Sequence, residues 1–287
     1  MSKFSDRAFV AFQGLLPQHA LSAFVGWLTR LKARALVRAV GRFFVKLYDI
    51  NIEEAVVPEG GFADFDAFFT RKLKPGARSI DAGEKSIVSP VDGAVSSAGP
   101  IEEGRIYQAK GRDYAMAELL GSEAEAEKFL GGQFATIYLS PRDYHRMHAP
   151  AAGVVTRMAY LPGYLFAVNP RTVRAREALF SRNERVAISF DTPAGPMAMV
   201  FVGALIVGSI SVAWEGVVAP AKGSKKGRPR VWDYSEKDAP RFAKGDEVGR
   251  FHMGSTVVLL VPKGTGKLGE LSPEQKMVLG EVIGNLT

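Results

Sequence analysis

Ser255 stands at the mouth of an apolar run, in the stretch GRFHMGSTVVLLVP at positions 249–262. Val257, Val258, Leu259, Leu260 and Val261, ended by Pro262, read as a core strand. Gly254 and Ser255 then read either as a turn that opens the strand or as a reactive hydroxyl held at a strand end. A serine hydroxyl is a weak nucleophile until a base takes its proton, so the second reading needs partners. The chain offers four histidines, His19, His145, His148 and His252. His145 and His148 fall in SPRDYHRMHAP (140–150), directly after the strand-like FATIYL, and a loop after a buried strand suits an acid-base group. Two structural histidines on a loop is the plainer alternative. Histidines three apart could also hold a metal, but there is no cysteine and no third ligand cluster, so no metal is expected. Asp92, in SIVSPVDGAVSSAG (86–99), reads first as part of an Asp-Gly hairpin turn. It reads second as an acid able to orient a histidine and stabilise its charged form. Each signal is weak alone, and sequence does not give the geometry that would unite them.

The elements that must position these residues fall into two zones. Residues 18–48 read as two amphipathic helices, with Leu21, Phe24, Val25, Leu28 and Leu31 on one helical period and Val37, Val40, Phe44 and Leu47 on another. Arg34, Arg38, Arg42 and Lys46 recur every fourth residue and so align along one side. FADFDAFFTRKL (62–73) suggests a further short helix. From about residue 86 the text changes to short β-like runs: GAVSSAG, FATIYL, GVVTRMAY, RVAISF and STVVLLV. One helix is expected among them, over 114–132, ending at a Gly pair. The uncharged stretch between Asp191 and Glu215 is long enough to cross a bilayer, yet its prolines, glycines and β-branched residues predict two buried strands. AKGSKKGRPR (221–230) reads as a mobile basic loop. KGTGKLG (263–269) lacks the first Gly and the Ser/Thr of a phosphate-binding loop.

Composition sets the bounds. A chain of 287 residues, 47% hydrophobic and 23% charged, has length for a substantial core. The absence of cysteine excludes disulfides, zinc-thiolate sites and a thiol nucleophile. The start, MSKFSDRAFVAFQGLL, lacks the long apolar core and small-residue cleavage site of a signal peptide. The net charge is +7, and in residues 1–50 eight Lys and Arg stand against Asp6 and Asp49, so nearly all the excess lies there. A local basic excess points to an anionic partner. Together with the apolar residues Phe24, Trp27 and Leu28, it suits a membrane surface; a helical hairpin packed on the main domain is the alternative. Nucleic acid is not expected, because no recognition motif or aromatic-basic interleaving occurs.

The motifs PVDGAV, YHRMHAP, YLPGYLFAVNP, LFSRNERV, DTPAGPMAMVFVGALIVGSI and GRFHMGSTVVLL, in that order from about residue 50 to 262, resemble bacterial phosphatidylserine decarboxylase of the proteobacterial type. Met253 stands where that family usually has Leu, a swap that conserves volume and polarity. The resemblance implies an α+β fold: basic amphipathic membrane-associating helices over 1–50, then a mainly antiparallel, sandwich- or barrel-like catalytic domain over 51–287. It implies that the Gly254–Ser255 bond cuts itself, giving a β chain (1–254) and an α chain (255–287). Ser255 then becomes a pyruvoyl group that condenses with the substrate amine and serves as electron sink, so no external cofactor is needed. His148, held by Asp92, would be the base that activates Ser255, and His145 would reprotonate or position the substrate. The substrate would be phosphatidylserine in an anionic membrane and the product phosphatidylethanolamine. Phe24, Trp27, Leu28, Phe44, Arg34, Arg38, Arg42 and Lys46 would carry peripheral attachment to the cytoplasmic face. Membrane enzymes of this size often pair, which leaves a homodimer open. The rival readings are a hydrolase with a standing Ser255–His148–Asp92 triad on an intact chain, and a non-enzymatic membrane-binding module.

Overall fold

In the computed structural model, residues 3–109, 111–206, 209–220 and 228–287 are described. The basic loop expected over 221–230 lies mostly outside them. Strand Ser255–Val261 runs through the middle of the largest sheet, between Gly195–Val202 and Gln133–Leu139, antiparallel to both. Its odd-numbered residues Val257, Leu259 and Val261 belong to one core cluster and Val258 and Leu260 to another. Burial on both faces is why this strand reads as a continuous apolar run and not as alternation. The sheet order, from edge to edge, is Arg230–Asp233, Gly153–Leu161, Arg185–Thr192, Gly195–Val202, Ser255–Val261, Gln133–Leu139, Gly93–Pro100 and Lys276–Met277.

Two smaller sheets supply the core on one face: Gly216–Ala219, Ile210–Val212, Glu247–Phe251 and Arg146–His148 in one, and Ser86–Val88, Val282–Leu286 and Gly266–Leu268 in the other. Short helical segments cover the opposite face through Met116, Leu119, Phe129, Val173, Leu179 and Phe180. The result is the expected α+β, mainly antiparallel sandwich. The described strands of the large sheet follow an open path and do not close into a barrel. The uncharged stretch 192–214 forms strands Gly195–Val202 and Ile210–Val212, as its β-branched content predicted.

Three helices precede the sheets: α1 (Lys3–Leu15), α2 (Gln18–Thr29) and α3 (Arg34–Tyr48), followed by the single-turn α4 (Phe65–Phe69). Sequence periodicity predicted α2 and α3 but not α1. α4 is shorter than the 62–73 expected: the Asp64 side chain caps its start by accepting from the Ala67 amide, and Thr70 ends it. The helix expected over 114–132 is two, Met116–Leu120 and Glu123–Glu127, parted by left-handed Gly121 and the new N-cap Ser122.

The amphipathicity of α1 and α2 is inverted. α1 turns Asp6 and Gln13 inward and leaves Phe4, Phe12 and Leu15 exposed. Asp6 is held by Arg171 and Arg174, and Gln13 accepts from the Ala167 amide. α2 buries Gln18, Ser22 and Gly26 while Phe24, Trp27 and Leu28 face outward. Arg34, Arg38, Arg42 and Lys46 are exposed on α3. Phe44 departs from expectation: its ring packs on Phe65 at 4.9 Å in an aromatic cluster between α3 and α4, so it is not a free surface residue. Among the described residues no single helix is long and apolar enough to cross a membrane, and the pair α1–α2 is bent by 78°.

Candidate functional site

Ser255 begins its strand opposite Leu139, and Leu139 leads directly into the loop that carries both histidines. By strand alternation the Ser255 side chain lies on the same face as Val257 and Leu259, the face against which Met147 and Phe251 pack. The His145 carbonyl accepts from the Phe251 amide at 3.0 Å, and Arg146–His148 pairs with Glu247–Arg250. Topology therefore runs the histidine loop alongside the segment that ends at Gly254–Ser255.

The Ser255 hydroxyl is fully buried and has no hydrogen-bond partner among the described residues. Gly254 has open space where a side chain would stand, so the preceding carbonyl region is unhindered. The left-handed backbone angle lies one residue earlier, at Met253 and not at Gly254. Met253 sits at φ 98°, a conformation that costs a non-glycine residue about 1–3 kcal/mol. Met253 is fixed there because its side chain packs on the Phe65–Phe68–Phe69 cluster, while its neighbour His252 is held at both ring nitrogens. His252 Nδ1 lies 2.9 Å from Asp66 and Nε2 3.0 Å from the Ser211 hydroxyl.

Both loop histidines are neutral and share a tautomer. His145 Nδ1 lies 2.8 Å from the Asp143 carbonyl and His148 Nδ1 2.7 Å from the Gly245 carbonyl. A carbonyl can only accept, so each Nδ1 carries the proton and each Nε2 presents a lone pair. Burial lowers the His145 pKa to about 3, and burial also lowers that of His148. His145 Nε2 is sealed without a partner, under the Phe69 ring at 4.2 Å. His148 Nε2 accepts from the Tyr144 hydroxyl at 3.3 Å, whose own pKa burial pushes up to about 12.

Asp92 does not orient His148. Its carboxylate takes three hydrogen bonds from Arg78, the shortest 2.6 Å, and one from the Leu279 amide at 2.8 Å. Nor does Asp92-Gly93 close a hairpin, because Ser86–Val88 pairs with Val282–Leu286 and Gly93–Pro100 with Gln133–Leu139. Gly93 is required for another reason: a Cβ there would stand 2.5 Å from the Tyr138 carbonyl oxygen. Asp92 still lies beside the histidine loop, since the His148 amide donates to the Pro90 carbonyl at 2.9 Å. The structure thus brings Ser255, His145, His148 and Asp92 to one side of the sheet without joining them in a hydrogen-bonded relay. Sequence reasoning missed Arg78, Tyr144 and the Asp66–His252–Ser211 clamp. Arg78 is 14 residues from Asp92, and only the tertiary fold brings them together. No group of metal-ligating residues occurs among the described residues.

The sequence that builds this site matches a known family. A match to phosphatidylserine decarboxylase covers residues 65–285, and a second family match, described as PSD, covers residues 8–49. The chain is 50% identical over 285 residues to the phosphatidylserine decarboxylase proenzyme of Marinobacter nauticus, covering 98% of both chains. It is 51% identical over 262 residues to the proenzyme of Acidovorax ebreus, covering 91% of this chain and 90% of that one. With the proenzyme of Saccharophagus degradans the identity is 48% over 284 residues, covering 98% of each. The chain belongs to the phosphatidylserine decarboxylase family.

Proposed function

We propose that this chain is the precursor of a pyruvoyl-dependent phosphatidylserine decarboxylase that cuts itself between Gly254 and Ser255. The observation that carries the reading is the Ser255 hydroxyl, buried without a partner at a strand start and preceded by an unhindered glycine. A buried hydroxyl left unpaired costs about 1–3 kcal/mol and calls for a chemical reason. In the proposed step His148 Nε2 takes the hydroxyl proton, Oγ attacks the Gly254 carbonyl carbon, and the peptide nitrogen leaves as an amine, giving an ester. Removal of the Ser255 Cα proton then breaks the Cβ–O bond, so that the large chain ends in a Gly254 carboxylate. Water hydrolyses the resulting dehydroalanine with release of ammonia, and residue 255 is left as a pyruvoyl group. That group supplies an electron sink while the substrate carboxylate leaves as carbon dioxide. The central strand 255–261, buried on both faces, holds the new terminus rigidly.

His148 is a better base than His145 in the precursor. An imidazole whose conjugate acid has a pKa near 3 accepts a proton poorly, whereas His148 is less deeply buried. The standing-triad hydrolase fits less well, since Asp92 is committed to Arg78 and the Leu279 amide. Intact mass of the purified protein under denaturing conditions tests the proposal. The expected result is two species, the smaller beginning at position 255 and lighter by one ammonia than a serine-initiated chain. One full-length mass in an active, folded protein would sink it.

The inverted helices support peripheral attachment to the cytoplasmic face of an anionic membrane. Polar residues of α1 and α2 are used for docking on the loop around Leu165 and Ala167 and on the short helix Pro170–Ala175, so Phe4, Phe12, Phe24, Trp27 and Leu28 are free to enter the headgroup region. Arg34, Arg38, Arg42 and Lys46 add about 1 kcal/mol each near an anionic surface. Flotation with phosphatidylserine vesicles is expected for the whole chain and lost when residues 1–48 are removed. Undiminished flotation of the shortened chain would contradict the assignment.

A further inference from the structure

Arg71 is buried, charged and largely unpartnered. It is 4% exposed, and Nε and Nη1 are sealed without a hydrogen-bond acceptor. Nη2 donates to the Arg142 carbonyl at 3.1 Å and lies 3.5 Å from that of Asp143. Burial lowers the Arg71 pKa, but a guanidinium keeps its proton at neutral pH, so three N–H donors are left without an acceptor among the described residues, and Asp92, Asp143 and Glu54 act on the charge only through space. An interior ion without a direct ion-pair partner costs several kcal/mol. A ligand that brings a negative charge would repay it.

Arg71 lines a cavity of about 410 Å³ together with Asp92, Tyr144, Arg78, Arg142 and Lys276. Three of the four acids that line the cavity are engaged elsewhere: Arg78 pairs with Asp92 and Glu54, and Asp143 accepts from the amide and hydroxyl of Ser140, while Asp49 makes no ion pair among the described residues. Among the described residues no carboxylate forms an ion pair with Arg71. The cavity also abuts the histidine loop: Arg71 Nη2 and His145 Nδ1 converge on the same Asp143 carbonyl, at 3.5 and 2.8 Å.

We propose that Arg71 is the anion anchor of the substrate pocket and takes the phosphodiester of the lipid headgroup, an inference that rests on the decarboxylase reading. The headgroup carries two anions, and the chemistry separates them. The carboxylate must leave as neutral carbon dioxide, so a fixed cation on it would favour the ground state over the transition state. The phosphodiester keeps its charge throughout, so a fixed cation there binds both states alike. Arg71 is therefore a binding residue whose loss shows in KM more than in kcat.

The test compares two water-soluble substrates, glycerophosphoserine and serine O-methyl ether, which differ in the phosphate. Processed wild-type, Arg71→Lys and Arg71→Met enzymes are checked by mass for complete cleavage. Arg71→Met is expected to raise KM for glycerophosphoserine roughly 10- to 100-fold, the loss of a charge-assisted contact. KM for the phosphate-free substrate should be unchanged, and Arg71→Lys should fall between. Equal losses on both substrates, or none on either, would overturn the proposal. A second measurement needs neither cleavage nor turnover: calorimetric titration of the uncleaved Ser255→Ala chain with glycerol 3-phosphate. Binding that disappears in Ser255→Ala/Arg71→Met supports the anchor, and no binding to the Ser255→Ala parent overturns it. A wild-type chain that binds glycerol 3-phosphate but releases no carbon dioxide from phosphatidylserine would sink the decarboxylase reading and leave the anion site standing.

Discussion

A Ser255→Ala chain is expected to fold normally, to remain whole, and to release no carbon dioxide from phosphatidylserine. The usual objection to such a variant is that replacing a buried residue unfolds the protein. Here the objection is weak. The Ser255 hydroxyl has no hydrogen-bond partner, so its removal breaks none and relieves a desolvated polar atom. The thermal midpoint should match or exceed that of a chain arrested by other means, with a change in stability under about 1 kcal/mol. Activity should fall below detection, because in the proposed mechanism the electron sink is made from this residue. Thr256 provides the control. Its hydroxyl is equally buried and unpartnered, but strand alternation turns it to the opposite face, with Val258 and Leu260. Thr256→Val should therefore cleave and decarboxylate as the wild type does. Cleavage in Ser255→Ala, or its loss in Thr256→Val, measured by intact mass, would move the chemistry off the assigned hydroxyl.

The parts of this fold that the sequence displayed are those decided locally. All five β-like runs picked out by β-branched content became strands, and Ser255 stands at a strand start as the run 257–261 implied. The Gly pair expected to end the helix over 114–132 does not cap it: the last helical segment stops at Glu127 with Lys128 as its C-cap, and Gly131 takes its left-handed angle in the turn beyond. Periodicity found α2 but not which way it faces, because it finds an apolar stripe and assumes that the stripe faces inward. In α1 and α2 the stripe faces out, and the docking face is Asp6, Gln13, Gln18 and Ser22. The site was legible as residue types but not as contacts. Asp92 looked like a turn residue and a histidine partner; its true partners, Arg78 and Leu279, are 14 and 187 residues away. Arg71 gave no signal, because FADFDAFFTRKL reads only as a short helix until the fold buries this cation and leaves Lys72 and Lys74 outside. The strain at Met253 was equally hidden, since it arises from the clamp on His252 and the aromatic cluster, not from local preference.

His148→Asn and His145→Asn are expected to fail at different steps. His148→Asn removes the proposed base of self-cleavage, and proton transfer by a positioned side chain is worth about 10²- to 10⁴-fold. Its precursor should persist correspondingly longer when a pulse of cell-free synthesis is chased and resolved by mass. His145→Asn keeps a donor able to reach the Asp143 carbonyl, so the loop should hold its shape and cleavage should go to completion. Decarboxylation should then fall, because the variant loses the imidazole that the family resemblance assigns to the substrate. The pH dependence of cleavage supplies an independent sign. Burial places the folded His148 pKa below its ordinary 6.5, so the base is already neutral at and above that pH. The wild-type cleavage rate should be flat from there to pH 8 and decline only in more acid solution, as the imidazole takes up the proton that disables it. A rate that instead rises with pH through 7 would mean that the base titrates above its ordinary value. That would require a carboxylate to pair with it, and Asp92 would have to leave Arg78 to do so. Identical defects in the two variants would mean that the histidines act as one unit, and the division of labour drawn from their unequal burial would fail.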